Sequence, residues 1–161
     1  MDEEVKQKSD YAWDYFRLHA SQRLTTFHFY LVISTVIGTG YLMSLKGDII
    51  SPLGIILGLL LSFLSFIFWK LDIRNRQMIK NAEDSLKYLE RQLNLKEDSE
   101  PHILQIFCYE EYQTERLKQS KSFWPWRTYY SYSACFNLVF IIVGFLGFVG
   151  AIYSMTLTLA Q

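Results

Sequence analysis

Residues 49–71 read IISPLGIILGLLLSFLSFIFWKL, and this stretch decides how the rest of the chain is arranged. It carries no charged side chain before Lys70. A helix of that length, rising ~1.5 Å per residue, crosses the ~30 Å hydrocarbon core of a bilayer. Pro52 suits the first turn of a helix, and Trp69 is typical of the membrane–water interface. The stretch therefore predicts a transmembrane helix.

Two further blocks of the sequence are long, apolar and uncharged. Residues 27–45 precede the first block, and residues 137–157 follow it much later in the chain. Each is long enough to cross a bilayer once as a helix. Because only Lys46, Gly47 and Asp48 separate the first two spans, we expect these spans to form an antiparallel hairpin. The sequence thus predicts an all-α membrane protein with three transmembrane helices.

The composition excludes several classes of protein. Half of the 161 residues are hydrophobic, 17% are aromatic, and the net charge is zero. A soluble domain of this length would not gather its apolar residues into three uncharged blocks. Cys108 and Cys135 lie in segments of different kinds and predict neither a disulfide framework nor a metal site. We expect no cofactor, and no signal peptide, because the first 24 residues are charged and lack an apolar core.

The distribution of charge and aromatic residues divides the chain into four predicted segments. We expect residues 1–26 to form an amphipathic helix that lies at the membrane interface or packs on a cytosolic domain. Residues 27–71 should form a two-span transmembrane hairpin, and residues 72–122 a cytosolic helical hairpin broken near Pro101. Residues 123–161 should form an aromatic interface belt followed by the third transmembrane helix.

One face of the predicted helix after the second span is apolar. Its apolar residues recur at spacings of three and four, as they do in the seam of a coiled coil. Since neither Gly nor Pro occurs between Leu59 and Glu100, this helix should continue directly from the second span. The cytosolic stripe consists of Met78, Ala82, Leu86, Leu89 and Leu93.

The distribution of Lys and Arg predicts the orientation in the membrane. Four of these residues precede the first span, one lies in the following turn, eleven fall between Lys70 and Arg127, and none follows the third span. Cytoplasmic segments of membrane proteins carry the excess of positive charge. We therefore expect a multi-pass membrane protein with a cytoplasmic N-terminus and an external C-terminus.

Small residues at helical spacing indicate close contacts between helices. Such residues let helix backbones approach in lipid, where packing rather than the hydrophobic effect drives association. They can pack the three spans of one chain together, or pack copies into a homo-oligomer, and the sequence leaves both alternatives open. The residues are Gly54, Gly58, Gly144, Gly147, Gly150 and Ala151.

The three spans contain no Asp, Glu, Lys or Arg, which argues against a pump or a coupled transporter. Three spans are too few to enclose a conduit within one chain. If the protein conducts, it does so as an oligomer whose pore is lined by polar residues of the spans. The candidates are Ser34, Thr35, Thr39, Ser62, Ser65 and Asn137.

Arg23 and His28 form an R-x4-H pair that resembles the short signature of HEPN ribonucleases. The resemblance implies an Arg and a His that act on a scissile phosphate. A match of two residues often arises by chance, so a ribonuclease is the weakest functional alternative and we expect no enzyme. The helices of residues 72–122 mix acidic and basic residues, which favours a solvated face over direct binding of nucleic acid or nucleotide.

The N-terminal region carries the pattern W-x-Y-F-x-x-H-A-x-Q-R ahead of an aromatic-led span, a short turn, a second span and a charged helix. Across residues 10–90 this arrangement resembles the small membrane effectors of bacterial anti-phage islands. These include SLATT-type proteins and the accessory membrane proteins found beside CRISPR systems. The pattern is made by Trp13, Tyr15, Phe16, His19, Ala20, Gln22 and Arg23.

The resemblance implies a non-enzymatic effector that oligomerises and perturbs or permeabilises the inner membrane when it is signalled through its cytosolic helices. The alternative is a membrane anchor or adaptor that recruits a cytosolic enzyme. An effector changes the permeability of the membrane, whereas an adaptor binds a stoichiometric partner without such a change. The expected partners are the lipid bilayer, other copies of the chain, and a cytosolic sensor or effector protein.

Overall fold

A computed structural model of the chain shows α-helices and no β-strand in the residues that it describes. The prediction of an all-α protein is confirmed for that part of the chain. The turn predicted between the first two spans and most of the predicted aromatic belt lie outside the described residues. Those residues are 3–46, 52–92, 105–119 and 132–159.

Four helices occupy these ranges. α1 runs from Glu3 to Lys46 and joins the predicted amphipathic helix to the first span without a break. α2 spans Pro52–Gln92, so the second span and the start of the charged region also form one helix, as the lack of Gly and Pro predicted. α3 spans Ile106–Gln119, and α4 spans Tyr132–Leu159.

Three of the helices are long and apolar enough to cross a membrane. They are α1, α2 and the Ser133–Leu159 part of α4, whose most apolar windows have mean hydropathies of 1.3, 2.2 and 2.5 respectively. The prediction of three membrane-spanning helices is confirmed by length and composition. The window of α1 is the least apolar of the three.

The chain divides into two compact units. The span unit comprises Gln22–Arg74 and Tyr132–Gln161. The polar unit comprises Met1–Ser21 and Asn75–Ser131. Among the residues that the structure describes, the polar unit therefore contains the beginning of α1, the end of α2 and α3.

Aromatic side chains fill the core of the span unit. Tyr30, Phe136 and Phe140 are buried, and Phe27 stacks on Phe136 with ring centroids 3.9 Å apart. The buried hydroxyl of Tyr30 forms a hydrogen bond of 2.9 Å with the hydroxyl of Ser65. This bond satisfies the polar end of an otherwise apolar ring, as buried tyrosines require.

The apolar stripe of α2 contributes to the interior of the polar unit. Ala82 and Leu86 are buried, with exposed fractions of 3% and 6%. Met78 and Leu89 are half-buried, and Leu93 lies outside the described residues. A helix that buries residues at this spacing presents one continuous face to its neighbours.

Glu90 of α2 fixes the start of α3. Its two carboxylate oxygens accept hydrogen bonds from the backbone N–H groups of Phe107 and Cys108, at 3.2 and 3.0 Å. These N–H groups have no partner within their own helix, and an anion is favourable at a helix N-terminus. The ring of Phe107 packs edge-on against Trp13 and Phe16 of α1, so that α1, α2 and α3 are all in contact through the start of α3.

Candidate functional site

The closest approach between spans is made by small residues of α2 and α4. A Cβ atom added to Gly58 would lie 2.8 Å from the backbone N of Ala151 and from the carbonyl O of Gly147. A Cβ atom on Gly147 would lie 2.9 Å from the carbonyl O of Gly58, and one on Gly144 would lie 3.1 Å from Cβ of Ser65. The helix backbones are therefore in direct contact, which only small residues permit.

A second group of small residues lies nearer the ends of the spans and involves α1. The Tyr41 hydroxyl donates a hydrogen bond of 2.8 Å to the carbonyl of Gly150. A Cβ atom on Gly150 would lie 2.9 Å from the Tyr41 ring, and one on Gly54 would lie 2.9 Å from Oγ of Ser154. These contacts hold all three spans of one chain together.

Packing inside one chain thus occupies every small residue that the sequence singled out for helix contacts. Four of them are buried and two are half-buried, so they present little surface to another copy. Their contacts in one copy of the chain are thus with its own spans. The residues are Gly54, Gly58, Gly144, Gly147, Gly150 and Ala151.

A buried ion pair joins the three spans at one end of the span unit. Nε of Arg23 in α1 lies 2.6 Å from Oδ1 of Asp72 in α2, and Nη2 donates to Oδ2 of the same carboxylate at 3.0 Å. Nη2 also donates to Oγ of Ser133 in α4 at 3.1 Å, and the guanidinium lies 5.0 Å from the centroid of the Phe136 ring. The two charged side chains are only 12% and 4% exposed, so each neutralises a charge that is largely shielded from water.

The R-x4-H pair is not brought together in the structure. Arg23 faces Asp72 inside the span unit, whereas His28 is exposed. Five positions along a helix turn the side chain by roughly 140°, which explains why the two residues point in different directions. The geometry therefore gives no support to a ribonuclease centre at these residues, and it assigns Arg23 to the ion pair.

Two of the residues proposed to line a pore are exposed on α1. They are Thr35 and Thr39, and the hydroxyl of each donates a hydrogen bond of 2.8 Å to the carbonyl oxygen four residues earlier. This bond satisfies the hydroxyl proton and leaves the oxygen lone pairs on the outside of the helix. The two threonines can therefore accept hydrogen bonds from water.

The other four residues proposed for the pore do not face outward freely. Ser65 is 2% exposed and bonds to the hydroxyl of Tyr30. The side-chain oxygen atoms Oγ of Ser34 and Oδ1 of Asn137 are buried and have no hydrogen-bond partner among the described residues, and Ser62 is half-buried. Of the six candidates, Thr35 and Thr39 are therefore the two whose side chains are exposed in one copy of the chain.

The polar unit carries a mixed network of charges. Nζ of Lys87 lies 3.1 Å from Oε1 of Glu111 and 3.6 Å from Oδ1 of Asp84. Burial alone would lower the pKa of Lys87, but the hydrogen bond to Glu111 and the surrounding carboxylates outweigh burial and raise that pKa. Burial raises the pKa of Glu83, against the opposing effect of Lys87. Acidic and basic side chains are thus interspersed, as the sequence predicted for this region.

A wide cavity opens in the polar unit between α1 and α2. Its volume is about 630 Å³, and three tyrosines, Tyr11, Tyr15 and Tyr88, contribute to its walls. Tyr11 and Tyr88 are 73% and 63% exposed. A cavity of this size with aromatic walls has the dimensions of a binding site for a small molecule or a peptide side chain.

Comparison with known proteins assigns the chain to a family. The model of a family described as the octameric membrane protein family (8xMP) matches residues 7–156. The chain belongs to this family. CD-NTase-associated protein 19 of Escherichia coli is 35% identical over 159 residues, which cover 94% of this chain and 93% of that protein. No solved structure matches the chain.

The comparisons confirm part of what the sequence predicted. The chain is a multi-pass membrane protein, and it belongs to a family of oligomers. The resemblance to membrane proteins of anti-phage islands is supported in its general form. The more specific resemblance to SLATT-type proteins and to membrane proteins found beside CRISPR systems is not supported.

The partner of Arg23 was not predicted from the sequence. Asp72 lies 49 residues further along the chain, and periodicity within one helix carries no information about such a pair. A signal was nevertheless present, because Arg23 just precedes the first span and Asp72 just follows the second. In an antiparallel hairpin these two ends lie at the same membrane boundary, so an isolated acid there is a natural partner for an isolated base.

Proposed function

We propose that this chain is the subunit of an octameric, non-enzymatic effector of bacterial anti-phage defence that perturbs or permeabilises the inner membrane. The observation that carries the proposal is membership of the octameric family, which the match to residues 7–156 establishes. The name of the Escherichia coli relative supports the further proposal that a CD-NTase belongs to the same defence system. The polar unit is the part that receives the signal on the cytoplasmic side.

The interior of one protomer supports this proposal. Tyr30, Phe136 and Phe140 fill the space between the spans, and glycine contacts bring the backbones of α2 and α4 together. A protein packed in this way leaves no room for a passage along its own axis. Any passage through the membrane must therefore form between copies, which is what an octamer provides.

The orientation follows from charge. All but one of the Lys and Arg residues lie in the sequence before the first span or between Lys70 and Arg127, which favours a cytoplasmic polar unit and N-terminus and an external C-terminus. Under this orientation the cavity with Tyr11 and Tyr88 is accessible from the cytoplasm. A soluble signal made inside the cell can then reach the polar unit without crossing the membrane.

The experiment that tests the proposal uses the full-length protein in a host that carries its neighbouring genes. We expect phage infection to trigger growth arrest and the entry of a membrane-impermeant dye, and native mass spectrometry from lipid nanodiscs to show eight copies. The matched control is the same strain with its CD-NTase inactivated, in which dye entry should be lost. If the cells are protected against the phage but the dye does not enter them, the effector function is refuted.

A second candidate function is that of a membrane adaptor, and one observation favours it. The cavity of the polar unit is open and aromatic, which suits the docking of a partner protein. An adaptor would retain one cytosolic enzyme at a fixed stoichiometry, and Tyr88→Ala would release that enzyme. Membrane permeability would be the same with and without infection, which separates this function from the first.

A further inference from the structure

The membrane-spanning part of α1 is the least apolar of the three spans and the least covered by its own chain. Its most apolar window has a mean hydropathy of 1.3 and is 6% buried, whereas the windows of α2 and α4 have values of 2.2 and 2.5 and are each 22% buried. In a single copy surrounded by lipid, the least apolar span should be the one that the rest of the chain covers most, because polar groups are costly against hydrocarbon. Something other than lipid must therefore cover α1.

A polar strip runs along the exposed face of this helix. Its members are spaced by seven, four and seven residues, so at about 100° per residue they fall within roughly 40° of one another around the helix axis. All four are exposed, and all lie in the span unit. They are His28, Thr35, Thr39 and Lys46.

Apolar residues flank the polar strip on both sides. With the same helical geometry, one flank is centred roughly 50° from the strip and the other roughly 80° from it in the opposite direction. The exposed fractions of the flanking side chains range from 39% to 69%, so the span unit itself leaves them uncovered. The first flank consists of Leu24, Leu31 and Leu42, and the second of Phe29, Val36 and Met43.

The outer faces of the other two spans have a different character. Phe63 and Phe66 of α2 are more than half exposed, and so are Ile141, Phe145 and Phe148 of α4. Large apolar side chains of this kind suit contact with lipid tails. The polar strip on α1 has no such match with lipid, and this contrast distinguishes α1 from the other spans.

We infer that α1 forms the inner ring of the octamer, with its polar strip toward the central axis and its two flanks against the α1 helices of adjacent copies. This inference rests on the octamer of the proposed function. In a closed ring of eight, the two neighbours of each subunit lie roughly 67° to either side of the inward direction. The positions of the two apolar flanks agree with that angle.

The same geometry sets the size of the central space. Packed helices lie about 8–10 Å apart, so eight of them in a ring place their axes on a circle of roughly 12 Å radius. Subtracting about 5–6 Å for the half-width of a helix leaves a lumen of roughly 6 Å radius. Small hydrated ions and solutes fit through such a lumen, and the lone pairs of Thr35 and Thr39 offer hydrogen bonds to its water.

The test of the ring is disulfide cross-linking of full-length protein in membranes, with Cys108 and Cys135 first replaced by Ser. In the double variant Leu42→Cys/Met43→Cys, one cysteine lies on each flank at nearly the same depth. Oxidation should produce a ladder of products that ends at eight chains. Neighbouring positions on a helix do not face each other, so a bond within one chain does not compete.

The single variants are the matched controls for the ladder. In a ring each contact joins the first flank of one copy to the second flank of the next, so Leu42→Cys or Met43→Cys alone should remain monomeric on oxidation. Mixing the two single variants should give dimers only. A single variant that dimerises efficiently, or a double variant that gives no ladder while keeping the mass of the parent octamer, would overturn the inner ring.

A second measurement tests the water-filled lumen. Thr39→Cys on the polar strip should react with a charged, membrane-impermeant thiol reagent in open assemblies, and the reaction should block dye entry. Phe148→Cys on the outer face of α4 should stay unmodified. If the reagent modifies neither cysteine in open assemblies, the proposal of a water-filled lumen is wrong. If the ladder forms but infected cells never admit dye, the ring of helices is upheld and the permeabilising function fails separately.

Discussion

The span unit and the polar unit are held together by interactions of different kinds. In the span unit the decisive contacts are buried, such as the approach of Gly58 to α4 and the ion pair of Arg23 with Asp72. In the polar unit the ion pairs are more exposed, and Glu111, which pairs with Lys87, is 40% exposed. Buried charges are costly to separate, whereas exposed pairs exchange with water at little cost.

The difference shows which unit is built to keep one conformation. Small residues bring the backbones of α2 and α4 into direct contact, and a larger side chain at these positions would collide with the facing helix. The polar unit combines a cavity of about 630 Å³ with exchangeable ion pairs, and such regions open at low free-energy cost. A fixed span unit and an adaptable polar unit agree with the proposed division between a membrane assembly and a receiver of signals.

The largest expected effect comes from breaking the buried ion pair. Asp72→Ala leaves the Arg23 guanidinium buried without its carboxylate, and such a loss costs about 3–5 kcal/mol of stability. Thermal unfolding in detergent should report it. Asp14→Ala is the matched control, because Asp14 and Arg17 form an exposed pair whose loss should change little. Equal shifts in the two variants would contradict the difference in burial between these pairs.

The next largest loss of stability is expected when one of two glycines in the spans, Gly58 but not Gly38, is replaced by alanine. Gly58→Ala places a methyl group 2.8 Å from backbone atoms of α4, and overpacking of this kind costs about 1–3 kcal/mol. Gly38→Ala meets no atom within 4 Å, so the span unit should tolerate it and helix propensity favours it slightly. The measurement is thermal unfolding of both variants in the same detergent. Comparable losses would show that the contact at Gly58 is not special.

A smaller effect is expected at the N-terminus of α3. Glu90→Ala removes the carboxylate that accepts from Phe107 and Cys108, and loss of such a cap costs about 1–2 kcal/mol. Hydrogen exchange should accelerate at these two amides first. Glu110→Ala, which alters an exposed carboxylate of the same helix, is the control and should leave the two amides as protected as in the parent.

The smallest effect depends on pH and involves Glu83. Burial raises the pKa of this carboxyl above its ordinary value, so folding disfavours its charged form. Its contribution to stability is therefore most favourable below the ordinary pKa and is lost as the pH rises through the raised value. Because the side chain is only partly buried, Glu83→Gln should stabilise the protein at neutral pH by about 0.5 kcal/mol or less. The gain in stability should disappear near pH 4, where Glu83 is largely protonated. A gain that persists at that pH would show that it does not come from burial of the charged carboxylate.

The sequence predicted the helices well because their signals are local. Uncharged blocks of sufficient length define spans, and the absence of Gly and Pro after Leu59 predicts the unbroken helix of α2. The predicted association of the N-terminal helix was less definite, since an aromatic amphipathic helix suits either a membrane interface or a protein surface. The structure places Trp13 and Phe16 against Phe107, a contact that depends on a distant helix.

The sites were harder to predict, since a residue type does not reveal which way the residue faces. Ser65 and Thr35 are both hydroxyl residues of a span, yet Ser65 is buried and Thr35 is exposed. Gly38 and Gly58 are both glycines of a span, yet only Gly58 touches another backbone. Such differences arise from the packing of three helices at once, and the period of a single helix does not contain them.

The cluster around Arg23 has a consequence for how the protein is made. Asp72 is synthesised with the first two spans, but Ser133 and Phe136 belong to α4, which is synthesised later. Until that helix is inserted, Phe27 lacks the ring on which it stacks, and Arg23 lacks two of its contacts. A nascent two-span intermediate therefore exposes an incomplete aromatic surface, which insertion of the third span covers.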